Sequence, residues 1–162
     1  MTNTKAVKTN AVRLLDLKKV DYILHEYDAP DGFLDGVSVA RATGIDPARV
    51  FKTLVTQGAS REYYVCIIPV ARELDLKKAA KHFGEKKLEM IPAKDITKVT
   101  GYVKGGCSPV GMKKPFRTAI DTSALAFERI VVSAGKVGLQ MDLPLQSLMD
   151  AVSAQTADLI TE

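Results

Sequence analysis

The sequence predicts a single α+β domain over residues 1–162, built on a mixed, curled β-sheet flanked by helices. Three observations predict it. Stretches of helical and strand periodicity are interspersed along the chain. Several strands follow one another across short turns, and no thirty-residue strand-helix repeat of the kind that builds a parallel sheet is sustained.

The elements follow in order. Thr9 or Asn10 caps a first helix to about Val20, with Ala11, Leu14, Leu15 and Lys18 on one side. Asp21 to Tyr27 alternates as a strand with Ile23, His25 and Tyr27 on one face, ending at Asp28-Ala29-Pro30, so Tyr27 sits at a strand end where side chains line clefts or rim the core. The Asp31–Gly36 loop leads to a short helix, Val37 to Thr43, stopped by Gly44, and Asp46-Pro47 opens a further turn. Val50 to Thr56 is a strand that places Lys52 on a face with Val50 and Leu54. A lysine among apolar neighbours is either functional or snorkels to water.

Glu62 to Val70 is a near-continuous apolar strand in which Cys66 is a small core hydrophobe. Asp75 to Phe83 is a helix closed by Gly84, its basic face making His82 a surface residue. A short strand over Lys87–Ile91 and a helix over Ala93–Thr100 precede the glycine-rich stretch. Arg117–Asp121, Glu128–Ala134 and Leu139–Leu143 are strands, the last two joined by the glycine turn Gly135 to Gly138. Pro144 starts a final amphipathic helix carrying Leu145, Leu148, Met149 and Val152.

Composition narrows the function. The chain is 46% hydrophobic and 26% charged, with no apolar run near the ~20 residues a membrane-spanning helix needs. The N-terminus lacks the apolar core of a secretory signal, so a cytoplasmic location is expected. Two cysteines and two histidines in unrelated contexts give no metal-ligand spacing, and neither metal nor cofactor is expected. The net charge is +4, with lysines grouped near residues 5–19, 77–87 and 104–117. Such groups are commonly solvated faces; together they suit an anionic partner such as RNA, and no DNA-reading motif accompanies them.

The segment Gly101 to Lys114 holds four of the eleven glycines, three lysines and Cys107. Paired Gly105-Gly106 suggest N–H groups turned toward a phosphate or a developing oxyanion; the plainer reading is a glycine-rich hairpin. Cys107 stands beside positive charge that favours a thiolate, but no histidine partner is evident. Gly-x-Ser-x-Gly, His-Glu-x-x-His and a Walker loop are absent. What remains is a lysine, a tyrosine and backbone N–H groups, suited to holding and polarising an ester.

Val50-Phe51-Lys52-Thr53-Leu54, then Gly101 to Gly111 with its Gly105-Gly106-Cys107-Ser108-Pro109 core, then Val132-Ser133-Ala134-Gly135-Lys136-Val137-Gly138-Leu139 resemble the YbaK family of aminoacyl-tRNA deacylases, free-standing relatives of the prolyl-tRNA synthetase editing domain. The resemblance spans nearly the whole chain. It implies a single α+β domain that hydrolyses misacylated tRNA(Pro), the YbaK branch clearing Cys-tRNA(Pro), with prolyl-tRNA synthetase as a possible docking partner. It also implies that Lys52 is essential, that Tyr27, the Gly105 to Pro109 loop and Ser133 line the pocket, and that the substrate thiol attacks its own ester.

On that basis Lys52 would set a positive charge beside the ester or terminal adenosine, Gly105 and Gly106 would stabilise the oxyanion, and Tyr27 and Ser133 would orient the aminoacyl group. Family members often carry an aliphatic residue at Cys107, and Ser133-Ala134-Gly135 replaces a more glycine-rich form, which bears on the choice among Cys, Ala and Ser esters. The alternatives are a deacylase preferring Ala- or Ser-tRNA, a tRNA- or synthetase-binding module without turnover, and a nucleophilic or redox Cys107.

Overall fold

The computed structural model describes residues 8–28 and 35–162. The predicted end of the first strand at Ala29-Pro30 and most of the loop before Gly36 lie outside the described residues. Helix α1 (Asn10–Leu17) starts where Thr9 Oγ1 accepts the Val12 N–H, and Ala11, Val12 and Leu15 are buried. It stops about a turn earlier than the periodicity predicts. Lys19 takes a left-handed conformation (φ 56°) and the Val20 N–H returns to the Leu15 carbonyl, closing the helix without glycine.

Strand β1 (Ile23–Glu26) is followed by α2 (Gly36–Thr43), capped by Asp35 at its start and by left-handed Gly44 at its end. A 3-10 turn, Pro47–Arg49, leads into β2 (Phe51–Gly58), which pairs with β3 (Tyr63–Pro69) as an antiparallel hairpin. Helix α3 (Leu76–Phe83), strand β4 (Leu88–Met90) and α4 (Ile96–Thr100), the last preceded by a 3-10 turn over Ala93–Asp95, follow as the sequence predicts. After the glycine segment come β5 (Arg117–Asp121), β6 (Arg129–Lys136), β7 (Leu139–Pro144), α5 (Leu145–Val152) and β8 (Gln155–Ala157). Strand β8 is unpredicted: three residues without an apolar run carry no periodic signal, and the strand exists because it adds in parallel to β5.

The fold is α+β with mixed strand pairing. The ladders divide it into an antiparallel sheet ordered β1-β7-β6 and a mixed sheet ordered β4-β2-β3-β5-β8. A parallel bridge between Val50 and Val131 links the two. The main core lies between α1, α5 and the inner faces of both sheets, with Leu15, Phe51, Ile67, Ile120, Met141 and Leu148 sealed from solvent. Cys66 is fully buried beneath α3, as predicted, and burial pushes its thiol up to about 12. His82 is half-buried against Phe83 rather than fully at the surface, and burial followed by the charge of Arg117 holds its imidazole below the ordinary histidine range.

On the outer face of the small sheet Asp142 is almost fully buried between two guanidinium groups, Arg49 Nη2 at 3.0 Å and Arg129 Nε at 2.9 Å. Burial alone would raise its carboxyl, but the two arginine hydrogen bonds outweigh that and hold it below the ordinary carboxylate range. The cluster ties the 3-10 turn before β2 to β6 and β7 and so fixes the seam between the sheets.

Candidate functional site

A cavity of about 530 Å³ opens along that seam. Strand β2 supplies Phe51, Lys52, Thr53 and Leu54, the start of α2 supplies Gly36 and Val37, and Ile91 and Ile96 close another wall. The glycine segment contributes Lys104, Gly105 and Cys107, and the small sheet contributes Ser133 and Gln140. Tyr27 stands at the rim. Five residues singled out in the sequence, Tyr27, Lys52, Gly105, Cys107 and Ser133, are thus brought together although they span more than a hundred positions.

Lys52 is half-buried and makes no ion pair among the described residues. It is a cation on a largely apolar wall, able to meet an anionic or carbonyl oxygen. Tyr27 is seated by the second glycine turn: its N–H donates to the Gly138 carbonyl at 3.0 Å, and a Cβ on Gly138 would stand 3.1 Å from the Tyr27 carbonyl oxygen. Ser133 Oγ accepts the Gly135 N–H at 3.2 Å, which leaves its own proton to donate into the cavity.

Four expected site residues do not line the cavity. Gly106 is buried, and its N–H donates to the Val103 carbonyl at 3.0 Å, closing a turn whose third residue is left-handed Gly105 (φ 84°). The expectation that the Gly106 N–H faces an oxyanion is therefore corrected. Glycine is needed there for room, since a Cβ would lie 2.7 Å from Val137 N and 2.8 Å from the Lys136 carbonyl carbon. Gly105 does line the cavity, and its N–H has no partner among the described residues.

Ser108 is fully buried and its Oγ accepts the Val110 N–H, while Pro109 is buried beside it. Gly135 faces the Tyr102 ring, which a Cβ would approach to 2.8 Å. These residues brace the loop rather than touch a ligand in the cavity.

Tyr102, which sequence reasoning passed over, organises that bracing. Its hydroxyl donates to the Val110 carbonyl at 2.6 Å across the loop, and burial pushes the phenol up to about 12. The only cue available in the sequence is an aromatic ring set between glycines.

Cys107 packs its side chain among Val55, Ile91 and Val99. Burial pushes its thiol up to about 11, against a smaller opposing hydrogen bond from Thr100. A thiol so disposed is a neutral space-filler at neutral pH. Iodoacetamide at pH 7.5 is expected to label Cys107 far more slowly than a free cysteine, as mass spectrometry checks, and labelling at the rate of a free cysteine would restore the nucleophile reading.

Two further polar residues on the cavity wall escaped the sequence analysis. Among the described residues, Thr53 Oγ1 and Gln140 Oε1 are sealed from solvent without a hydrogen-bond partner. Gln140 is the register partner of Ser133 across β6 and β7, so pairing the two strands of the predicted hairpin would have flagged it. Among the described residues no group of three or more His, Cys, Asp or Glu could hold a metal ion, and no helix is long and apolar enough to cross a membrane.

Comparison with known proteins gives consistent matches. The profile of the aminoacyl-tRNA editing domain family matches residues 35–151. A protein of Enterococcus faecalis (strain ATCC 700802 / V583), EbsC, whose name provisionally assigns it as a Cys-tRNA(Pro)/Cys-tRNA(Cys) deacylase, is 44% identical over 155 residues, 96% of this chain and 94% of its own. Among solved structures, one described as a trans-editing enzyme for prolyl-tRNA synthetase, again provisionally, superposes with a TM-score of 0.82 at 23% identity, covering 97% of this chain and 100% of that one. A second, described only as a hypothetical protein, gives 0.85 at 18% identity, covering 94% and 99%. At such identities these two speak for the fold.

Proposed function

Because the chain belongs to the aminoacyl-tRNA editing domain family, and so is a hydrolase of aminoacyl-tRNA esters, we propose that it is a free-standing editing enzyme acting on misacylated tRNA(Pro), with Cys-tRNA(Pro) as its substrate. The observation that carries the reading is the convergence of Lys52, Tyr27, Gly105 and Ser133 on one cavity whose remaining wall is largely apolar. The wall suits a small uncharged aminoacyl side chain. Lys52 holds the ester or the terminal adenosine, Tyr27 and Ser133 orient the aminoacyl group, and the Gly105 N–H faces the oxygen that gains charge.

Among the described residues no side chain of the cavity is disposed as a nucleophile, which fits attack from within the substrate. The cysteinyl sulfur bonds to its own ester carbonyl carbon, the bond to the ribose oxygen breaks, and the thiol proton ends on that oxygen; water then opens the resulting thiolactone to cysteine. Exposed lysines hold the acceptor stem through phosphate contacts that weaken with salt. The protein would work in the cytoplasm, and prolyl-tRNA synthetase is a natural docking partner.

Turnover of Cys-, Ala-, Ser- and Pro-tRNA(Pro) by the wild-type protein tests the reading. Cys-tRNA(Pro) is expected to be hydrolysed fastest and Pro-tRNA(Pro) to be spared. Preference for the Ala or Ser ester would replace the substrate, and salt-sensitive tRNA binding with no turnover would leave a binding module in its place.

A further inference from the structure

We infer that Gln140 is a catalytic residue of this site, donating its carboxamide N–H to the oxygen on which negative charge develops. The inference rests on the deacylase reading above. It starts from a vacancy in the donor set: an acyl-transfer site gains most when two or more donors converge on the oxyanion, and of the paired glycines only Gly105 lines the cavity, the Gly106 N–H being held by Val103.

Gln140 is positioned to fill the second place. It lines the same cavity and is only 7% exposed. Strand β7 alternates Leu139, Met141 and Leu143 into the main core, which turns Gln140 to the opposite face, beside Ser133 on β6. Among the described residues, Oε1 is the one end of its carboxamide that is sealed without a partner. The amide nitrogen makes no hydrogen bond among the described residues, leaving its two protons for a ligand.

On the other side of Gln140, its partner on β1 is His25, whose Nε2 is likewise buried and, among the described residues, unpartnered, 3.8 Å from Asp142 Oδ2. Oε1 is the sealed end of the carboxamide and the amide nitrogen is not, so the N–H end is the one turned to the open cavity. A donor so placed polarises the ester carbonyl and needs no reorganisation as charge builds.

Gln140→Glu tests this, because it keeps the shape while exchanging a donor for an acceptor. The expected result is a fall in kcat for Cys-tRNA(Pro) of about 10²-fold with KM changed little, the signature of a contact made in the transition state. Gln140→Met, which removes both functions without adding charge, is expected to fall similarly and decides the matter if the carboxylate unsettles the sheet. Wild-type kcat in either folded variant, or a lower KM in Gln140→Glu as expected of a side chain that accepts from the substrate ammonium group, overturns the inference. If the wild-type protein itself hydrolyses no aminoacyl ester, the deacylase reading fails first; if it does and the variants match it, only the role of Gln140 fails.

Discussion

Lys52→Ala is expected to lower kcat/KM for deacylation by about 10²- to 10³-fold while leaving the melting temperature nearly unchanged. The loss is large because the side chain is the cation that β2 presents to the cavity, among apolar neighbours where a charge is felt more strongly than in water. Stability is spared because Lys52 has no ion pair among the described residues to lose, and truncating a partly buried lysine relieves as much desolvation as it forfeits packing. Lys52→Arg separates charge from geometry: a guanidinium keeps the charge but is a wider, planar fork, so recovery of less than about a tenth of the activity would show that a compact ammonium is required. Turnover of Cys-tRNA(Pro), read beside thermal unfolding, checks both variants, and an alanine variant of undiminished activity would sink the mechanism.

Gly106→Ala is expected to damage stability and turnover together. The added methyl would meet backbone atoms, Val137 N at 2.7 Å and the Lys136 carbonyl carbon at 2.8 Å, which cannot rotate away as a flexible side chain could. Overpacking of this kind costs about 1–3 kcal/mol, and relief requires the loop to lift from the β6–β7 turn, carrying Gly105 with it. Gly105→Ala is a useful contrast. Its cost arises from the left-handed backbone, φ 84°, roughly 1–2 kcal/mol. Thermal unfolding and the deacylation rate of the two variants should show the larger loss on both measures for Gly106→Ala.

The sequence made one half of the site legible and concealed the other for a physical reason. Lys52 stood out because alternation along β2 set it on a face with Val50 and Leu54, a local pattern that survives folding. Tyr27 is legible from its place at a strand end and from family resemblance, Ser133 from the resemblance alone. The role of Gly106 was misjudged because a glycine exposing its N–H and a glycine making room for a neighbouring backbone look identical in one dimension. Only the approach of Lys136 and Val137, thirty residues away, distinguishes them. Thr53 and Gln140 were hidden because a single polar residue in a strand is ordinary until its register partner is known. Helix ends fared well, with Thr9 and Asp46 capping where expected and Gly44, Gly84 and Gly101 ending helices in left-handed conformations. Caps are local interactions, whereas β8 is held by β5, more than thirty residues before it.

The bridge between Val50 and Val131 bears on how precisely the site can be held. Lys52 lies two residues beyond Val50 on one sheet, and Ser133 two residues beyond Val131 on the other. The two jaws of the cleft therefore reach only about 7 Å from their pivot, at roughly 3.3 Å per residue along a strand. With so short a lever, a 5° swing of one sheet against the other moves Lys52 and Ser133 by only about 0.6 Å. Distortion at the far ends of the sheets, such as an insertion in the β2–β3 hairpin, reaches the cleft strongly reduced, whereas a change of side chain at the pivot itself is transmitted to both jaws at once.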